Sequence, residues 1–446
     1  MQRILLTLLL SVSFTLSSFA QRNYPQELIS LIEQGRCFEA REYRSQYADK
    51  LPSNDRTFDV FYKAHMALFF NKPDSAAIYL EDLIANHELK IGPRIGTYYG
   101  KLLTVYDSKQ RFNEGILLCD KYMDHLKRNP FDRDLRFIQN ELTTIENIKK
   151  EFGYYEIEPR IKIERDSAAR EAIKINDGEY IRFNAKYNNV TAETWFDTGV
   201  PGFMITRSLA DNIGTKLINK SKDSVQIING IPVRARIEVI DQITMGSVTL
   251  YNIPVLVFNE RFVPYTADSL NVNANIEKKI NDRQIVMGVS AMKLIGRIDF
   301  DLEKRTVSFP GSTEKIGSSD SSNIYFADRD LYMKLKINEL NYVGYLNTGS
   351  DCTLNMTSSF HEKYKRQAET DSIAQRKPLV HHTTAGNIFP DVNLDVKLIT
   401  NENEVLISDR KHRVNIFDGV IGVNLFKKLG SKIIFDFNNM RVKVSR

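Results

Sequence analysis

The chain has 446 residues, 42% of them hydrophobic and 26% charged, with a formal net charge of +5. That length holds more than one domain, and the balance is that of a folded chain in water, not a disordered one. The small net charge and the absence of a Lys/Arg run exclude a charge-based nucleic-acid surface, so no nucleic-acid partner is expected.

Residues 1–20 read as an export signal. Arg3 gives a positive start, an apolar core begins at Ile4 and runs to about Phe14, and Ser18-Phe19-Ala20 has the small-x-small form of a cleavage site. No later apolar run approaches the roughly 20 residues needed to cross a bilayer. The expectation is an exported, periplasmic or secreted protein with no membrane span. Three cysteines, Cys37, Cys119 and Cys352, lie far apart. Cys37 and Cys119 fall in helical patterns and read as small buried residues, with a Cys37–Cys119 disulfide as the alternative. Cys352 reads as structural.

Residues 21–152 read as a helical domain. Three segments share a turn, a small residue and an amphipathic run, with Ala40, Ala76 and Gly115 in equivalent places. Their separations, 76 − 40 = 36 and 115 − 76 = 39, are those of stacked helical hairpins and resemble tetratricopeptide-type repeats. Such repeats would offer a surface to a protein partner; a plain helical domain is the alternative.

Near residue 155 the apolar pattern changes from the helical period to alternation. Ile161-Lys162-Ile163-Glu164 and the run from Tyr180 to Tyr187 predict strands. Val190 to Trp195 predicts another, which ends in Phe196-Asp197-Thr198-Gly199. A strand closing on Asp-Thr-Gly puts one carboxylate at a tight turn. A short helix over Ser208–Gly214 follows, then Val225–Val233 with Asn229-Gly230, a strong hairpin signal. Residues 261–283 are polar and predict a loop. Ile285-Val286-Met287-Gly288 precedes a short helix and the strand from Arg297 to Leu302.

A Gly/Ser-rich linker spans 313–322. The pattern then recurs. Tyr345-Leu346-Asn347-Thr348-Gly349 is a second turn, with Asn where the first has Asp. A short helix is predicted over Met356–Tyr364. Val420-Ile421-Gly422 precedes a helix and the strand through Phe435-Asp436-Phe437. The turns are offset by 347 − 197 = 150 residues and the closing glycines by 422 − 288 = 134. His381-His382 has no ligand at metal spacing nearby and predicts no metal site. Asp299 and Asp301, with Asp436 at the matching strand, read as outward-facing strand carboxylates.

A strand, a D/N-T-G turn, a Gly-containing hairpin and an apolar-apolar-Gly unit recur in order in 155–312 and 323–446. This combination resembles the aspartic peptidase superfamily, closer to retropepsin-like units fused in tandem than to the larger pepsin-like lobes. The fold class expected is therefore multidomain α and β: helical-hairpin repeats, then an all-β, two-lobed acid-protease-like domain. The resemblance implies an inter-lobe cleft with one turn from each lobe at its floor, hydrolysis of a peptide or protein substrate by an activated water, and no cofactor or metal. It implies Asp197 as general base and Asn347 at the position of its catalytic partner. Thr198, Gly199, Thr348 and Gly349 would support the turns. Gly288 and Gly422 would mark the strands beside them, and Ile228, Asn229 and Gly230 would tip a flap. The superfamily uses two carboxylates sharing one proton, the standard example of that coupling. Asn347 departs from this pattern. An amide donates a hydrogen bond but gives up no proton, so a general acid/base worth about 10²–10⁴-fold is missing unless another group serves. Asp351 is the nearest carboxylate in sequence. The alternative to a peptidase is a catalytically impaired relative that binds extended peptides.

Overall fold

The structure, a computed structural model, describes residues 22–128, 135–157, 159–166, 172–218, 224–228, 231–259, 278, 281–310, 322–327, 329–337, 340–357, 359–363, 381–383, 386–389, 405–407 and 417–445. The expected signal at 1–20, all of the linker except Ser322, and the hairpin tip Asn229-Gly230 lie outside these residues.

The N-terminal region is helical, from Tyr24–Glu33 to Leu135–Ile157. Polar side chains cap the starts of Tyr24–Glu33 and Arg56–Phe69, where backbone N–H groups would otherwise lack partners. Asn23 accepts from the Gln26 amide, and Asp55 accepts from Thr57 and Phe58. Three turns join successive helices in one geometry: Gly35, Asn71 and Gln110 have φ of +71, +51 and +53°. In each turn that residue's N–H reaches back three residues and the next N–H reaches back five, to Leu31, Ala67 and Tyr106. Ala40, Ala76 and Gly115 sit in the first turn of the following helices and are buried, which lets neighbouring helices approach closely. A Cβ on Gly115 would strike the Phe152 ring. Cys37 and Cys119 are buried free thiols, and the half-buried Cys352 is also free. No disulfide joins Cys37 to Cys119.

The same three turn residues dock on the β region. Gly35 packs against Ala327 and Phe417. Asn71 Nδ2 donates to Phe437 O at 3.0 Å, and Gln110 exchanges two hydrogen bonds with the Ile161 main chain. Phe38 and Phe69 meet Tyr325 edge-on. The helical core is thereby continuous with Tyr332, Val343, Tyr345 and Val420 on one face of the second-half sheet.

Among the described residues the β region forms three sheets. Around the first turn, Val190–Phe196 pairs in parallel with Ile285–Met287, which runs antiparallel to Phe203–Thr206, itself parallel to Val248–Phe258. Around the second, Leu340–Asn347 pairs in parallel with Gly419–Gly422, which runs antiparallel to Leu354–Met356, itself parallel to Val405–Ile407. The two halves thus use one pairing scheme. The third sheet draws on both: Arg297–Asp301 lies antiparallel to Lys432–Asp436 in the order Ile173–Lys174, Thr306–Ser308, Arg297–Asp301, Lys432–Asp436, Arg441–Ser445. Phe196, Phe300 and Phe435 meet edge-to-face at centroid distances of 4.9–6.0 Å and tie this sheet to the first turn strand.

Two expectations need correction. Met356 ends a strand, because Leu354 and Met356 bury their side chains against the Gly419–Gly422 strand; 359–363 are helical, and Tyr364 lies outside the described residues. Asp436 does not face outward. It is 2% exposed and accepts from the Asn438 and Asn439 amides and from Asn439 Nδ2, capping the turn into the last strand. Asp299 stays half-buried, forked by the Arg297 guanidinium at 2.8 Å.

Candidate active site

The two D/N-T-G turns face each other across the boundary between the halves. Val190–Phe196 delivers Asp197, and Leu340–Asn347 delivers Asn347. The threonines clasp the opposite turns reciprocally. Thr198 N donates to Thr348 Oγ1 at 2.9 Å, and Thr348 N donates to Thr198 Oγ1 at 3.0 Å. Thr198 Oγ1 donates to Leu346 O at 2.8 Å, and Thr348 Oγ1 donates to Phe196 O at 3.1 Å. Both threonines are buried, so the four bonds are shielded from water.

The clasp brings the side chains of Asp197 and Asn347 onto one backbone amide. Gly349 N lies 3.0 Å from Asp197 Oδ1 and 3.0 Å from Asn347 Oδ1. Gly199 N also donates to Asp197 Oδ1, at 2.8 Å. Accepting from Gly349 assigns Oδ1 of Asn347 as the acceptor and leaves its Nδ2 as a donor. Both glycines are required by closeness. A Cβ on Gly349 would overlap the Asp197 carboxylate, and one on Gly199 would lie 2.5 Å from Asn347 Oδ1. Gly288 and Gly422 lie against the turns in the same way. Added side chains there would meet the carbonyls of Val200 and Gly202 and of Cys352.

Burial pushes the Asp197 carboxyl above the ordinary carboxylate range. The Gly199 amide, the Arg283 guanidinium and the Gly349 amide oppose that shift without cancelling it. Arg283 is a charged neighbour that the sequence pattern did not single out; it ended a stretch read as loop. Its Nη1 lies 3.8 Å from Asp197 Oδ2, and its Nη2 donates to Gly349 O at 3.4 Å. Its guanidinium lies over Trp195 at 4.8 Å and Tyr180 at 5.1 Å. Trp195, two residues before Asp197, is thus a wall of the site. Tyr345 donates its hydroxyl to Gly199 O at 3.1 Å. The carboxylate nearest in sequence to Asn347 plays no part of this kind: Asp351 is exposed and offers its main-chain oxygen to Asn424.

The hairpin read as a flap is formed by Ser224–Ile228 and Ile231–Met245, with Ile228 opposite Ile231. In the second half His381–Thr383 pairs with Gly386–Phe389 in the same manner, so His381 and His382 lie on a strand. Among the described residues no group of three or more His, Cys, Asp and Glu side chains is placed to hold a metal ion. Among them, too, no helix is long and apolar enough to cross a membrane.

Residues 183–289, which include the Asp197 turn and Gly288, match the family model described as Aspartyl protease. The match supports the aspartic peptidase superfamily and a peptidase-type hydrolase for this part of the chain. Among solved structures, the chain is similar to the crystal structure of a retropepsin-like aspartic protease from Rickettsia conorii. The identity is 17%, the alignment covers 34% of this chain and 95% of that one, and the TM-score is 0.22. No curated protein matches this sequence.

Proposed function

We propose that this protein is an exported, two-lobed aspartic-type endopeptidase that hydrolyses a peptide or protein in a cleft between residues 155–312 and 323–446. The observation that carries the reading is the reciprocal threonine clasp, which holds Asp197 and Asn347 on the shared Gly349 amide. The common pairing scheme of the two halves supports an internal duplication, and the shared sheet supports a fixed relation between lobes. Asp197 is the general base. As a carboxylate it takes a proton from water, and the hydroxide formed attacks the scissile carbonyl. Asn347 contributes the Nδ2 donor that its accepting Oδ1 leaves over. Ile228, Asn229 and Gly230 would close over the substrate as a flap. The repeated turn geometry of residues 21–152 supports tetratricopeptide-like hairpins. Their turns are occupied by the β region, so a protein partner would use the surface away from it. Export rests on residues 1–20.

The second reading, a peptide-binding relative without turnover, is favoured by the absence of a second carboxylate at position 347. A single comparison separates the two. Unfolded protein substrates and peptide libraries are incubated with wild type and Asp197→Asn across about pH 3–8, the span over which carboxylate and His groups titrate. Cleavage by wild type and none by Asp197→Asn supports the peptidase. Peptide binding without cleavage in both supports the binding protein. Cleavage that survives in Asp197→Asn removes Asp197 from the mechanism.

A further inference from the structure

We infer that Arg283 takes the place of the missing second carboxylate: it receives the scissile carbonyl oxygen and stabilises the oxyanion that forms when water attacks. This rests on the aspartic-type reading of the site and adds a residue to its machinery.

The internal comparison of the two halves argues that Arg283 is a built part of the site. The turns are offset by 150 residues, so Tyr345 corresponds to Trp195 (345 − 150 = 195). Tyr345 uses its hydroxyl to satisfy the carbonyl of the opposite turn, Gly199 O. The Trp195 indole N–H makes no such bond to Gly349 O. Arg283 lies on the Trp195 ring and donates to Gly349 O instead. The two halves therefore complete their turns differently, and the half that supplies the catalytic carboxylate gains a cation. Two rings hold the guanidinium plane, and Asp197 Oδ2 lies 3.8 Å from Nη1. A guanidinium carries more N–H donors than these contacts use, which leaves donors for a bound oxygen. Its side chain is 24% exposed against 8% for Asp197, so the guanidinium is the more accessible member of the pair to a molecule arriving from solvent.

The charges around the pair fit that role. Facing Asp197 are Arg283 and the Tyr345 phenol, which burial holds in its neutral form. Behind Trp195, Arg182 is neutralised by Glu193 at 2.8 Å. Tyr180, under Arg283, also feels the charge of the exposed Asp351. Arg283 is the cation in direct reach of Asp197 among the described residues.

The step balances with one carboxylate. Asp197 removes a proton from water as the C–O bond forms. The carbonyl's electron pair moves onto oxygen, where the Arg283 and Asn347 N–H groups hold it. Asp197, now a carboxylic acid, delivers that proton to the amide nitrogen. The oxyanion collapses, the C–N bond breaks, and an acid and an amine leave with Asp197 again ionised. Two carboxylates sharing a proton lose activity when that proton leaves, so such sites have an alkaline limb in the carboxylate range. A guanidinium stays protonated throughout. This site needs Asp197 ionised and nothing more.

The test is the pH profile of kcat and KM for a cleaved peptide in wild type, Arg283→Gln and Arg283→Lys. The emission of Trp195, the sole tryptophan, is titrated in parallel. Wild-type kcat should rise along one acid limb and stay level to about pH 8, the consequence of a partner that does not titrate there. Arg283→Gln should lower kcat by about 10²-fold or more with little change in KM, the scale of losing an oxyanion donor. Its acid limb and its Trp195 midpoint should both move to higher pH, and Arg283→Lys should recover part of each. A wild-type profile that falls again between about pH 5 and 7, as a proton-sharing pair would, overturns the inference. So does a loss in Arg283→Gln under about threefold, far below a donor's worth. If Arg283→Gln cleaves normally while Asp197→Asn does not, Arg283 fails and the peptidase stands. If wild type cleaves nothing, both fall, and the Trp195 shift then marks Arg283 as a structural partner of Asp197.

Discussion

Thr198→Val tests whether the two turns act as one locked unit. Valine keeps the shape of threonine, so little packing is lost. The hydroxyl removed makes two bonds, one donated to Leu346 O and one accepted from Thr348 N. Both partners are stranded in a buried place, since Thr348 is 0% and Leu346 0% exposed. Each stranded backbone group costs about 1–3 kcal/mol, so the pair costs about 3 kcal/mol or more. That is roughly a 100-fold change in the folding equilibrium. Thr348→Val breaks the other two bonds, to Phe196 O and from Thr198 N, and should cost about as much. No bond is common to both variants. If the turns separate once one side is cut, the double variant will cost less than the sum. Urea unfolding followed by Trp195 emission measures these values, with Thr143→Val on an exposed helix face as control. A Thr198→Val transition within about 0.5 kcal/mol of wild type, the level of an ordinary surface change, would refute the locked-turn argument.

Asp197→Asn should change stability with a definite sign. Burial raises the folded-state pKa of Asp197 above the ordinary carboxylate range, so its contribution to stability falls as pH rises from that range through the raised value. The Asn variant should therefore gain on wild type as pH rises from acid to neutral, and equal midpoints at both pH values would refute the burial argument. Asn347→Asp restores a like-charge pair on the Gly349 amide. It should push Asp197 higher still and add an alkaline limb to the cleavage profile that wild type lacks. Gly349→Ala puts a methyl group into the Asp197 carboxylate. It should abolish cleavage, and a fully active Gly349→Ala enzyme would show that Asp197 does not sit on this amide. Glu238 is 2% exposed. Burial alone would raise its pKa, but Thr215, Arg207 and Arg236 hold it below the ordinary carboxylate range. Its contribution should be present at neutral pH and lost as pH falls below about 4.5. Glu238→Gln should flatten that acid loss in thermal unfolding.

Much of the β region was legible because strands carry short-range signals. Alternation, Asn229-Gly230 and the apolar-apolar-Gly units mark strands and turns within a few residues of where they act. The helical character of residues 21–152 was legible, and the spacing of Ala40, Ala76 and Gly115 marks three small residues in the first turns of helices. The register of the five-stranded sheet was not legible, since pairing Arg297–Asp301 with Lys432–Asp436 depends on how the two halves meet. Asp436 was misread for the same reason: alternation alone does not tell a turn cap from a solvated carboxylate.

The sequence by itself determined the chemistry available: one Asp-Thr-Gly turn, one Asn-Thr-Gly turn, and therefore one carboxylate where a pair is expected. Covalent identity is local, and no packing can add an acid to Asn347. Only the tertiary structure decided that the two turns share the Gly349 amide, and that Arg283 lies beside Asp197. Those contacts join residues 86 and 152 positions apart (283 − 197 = 86; 349 − 197 = 152). The threonine clasp sets the Gly349 contact and packing on Trp195 and Tyr180 sets that of Arg283, and no periodicity in the chain encodes either.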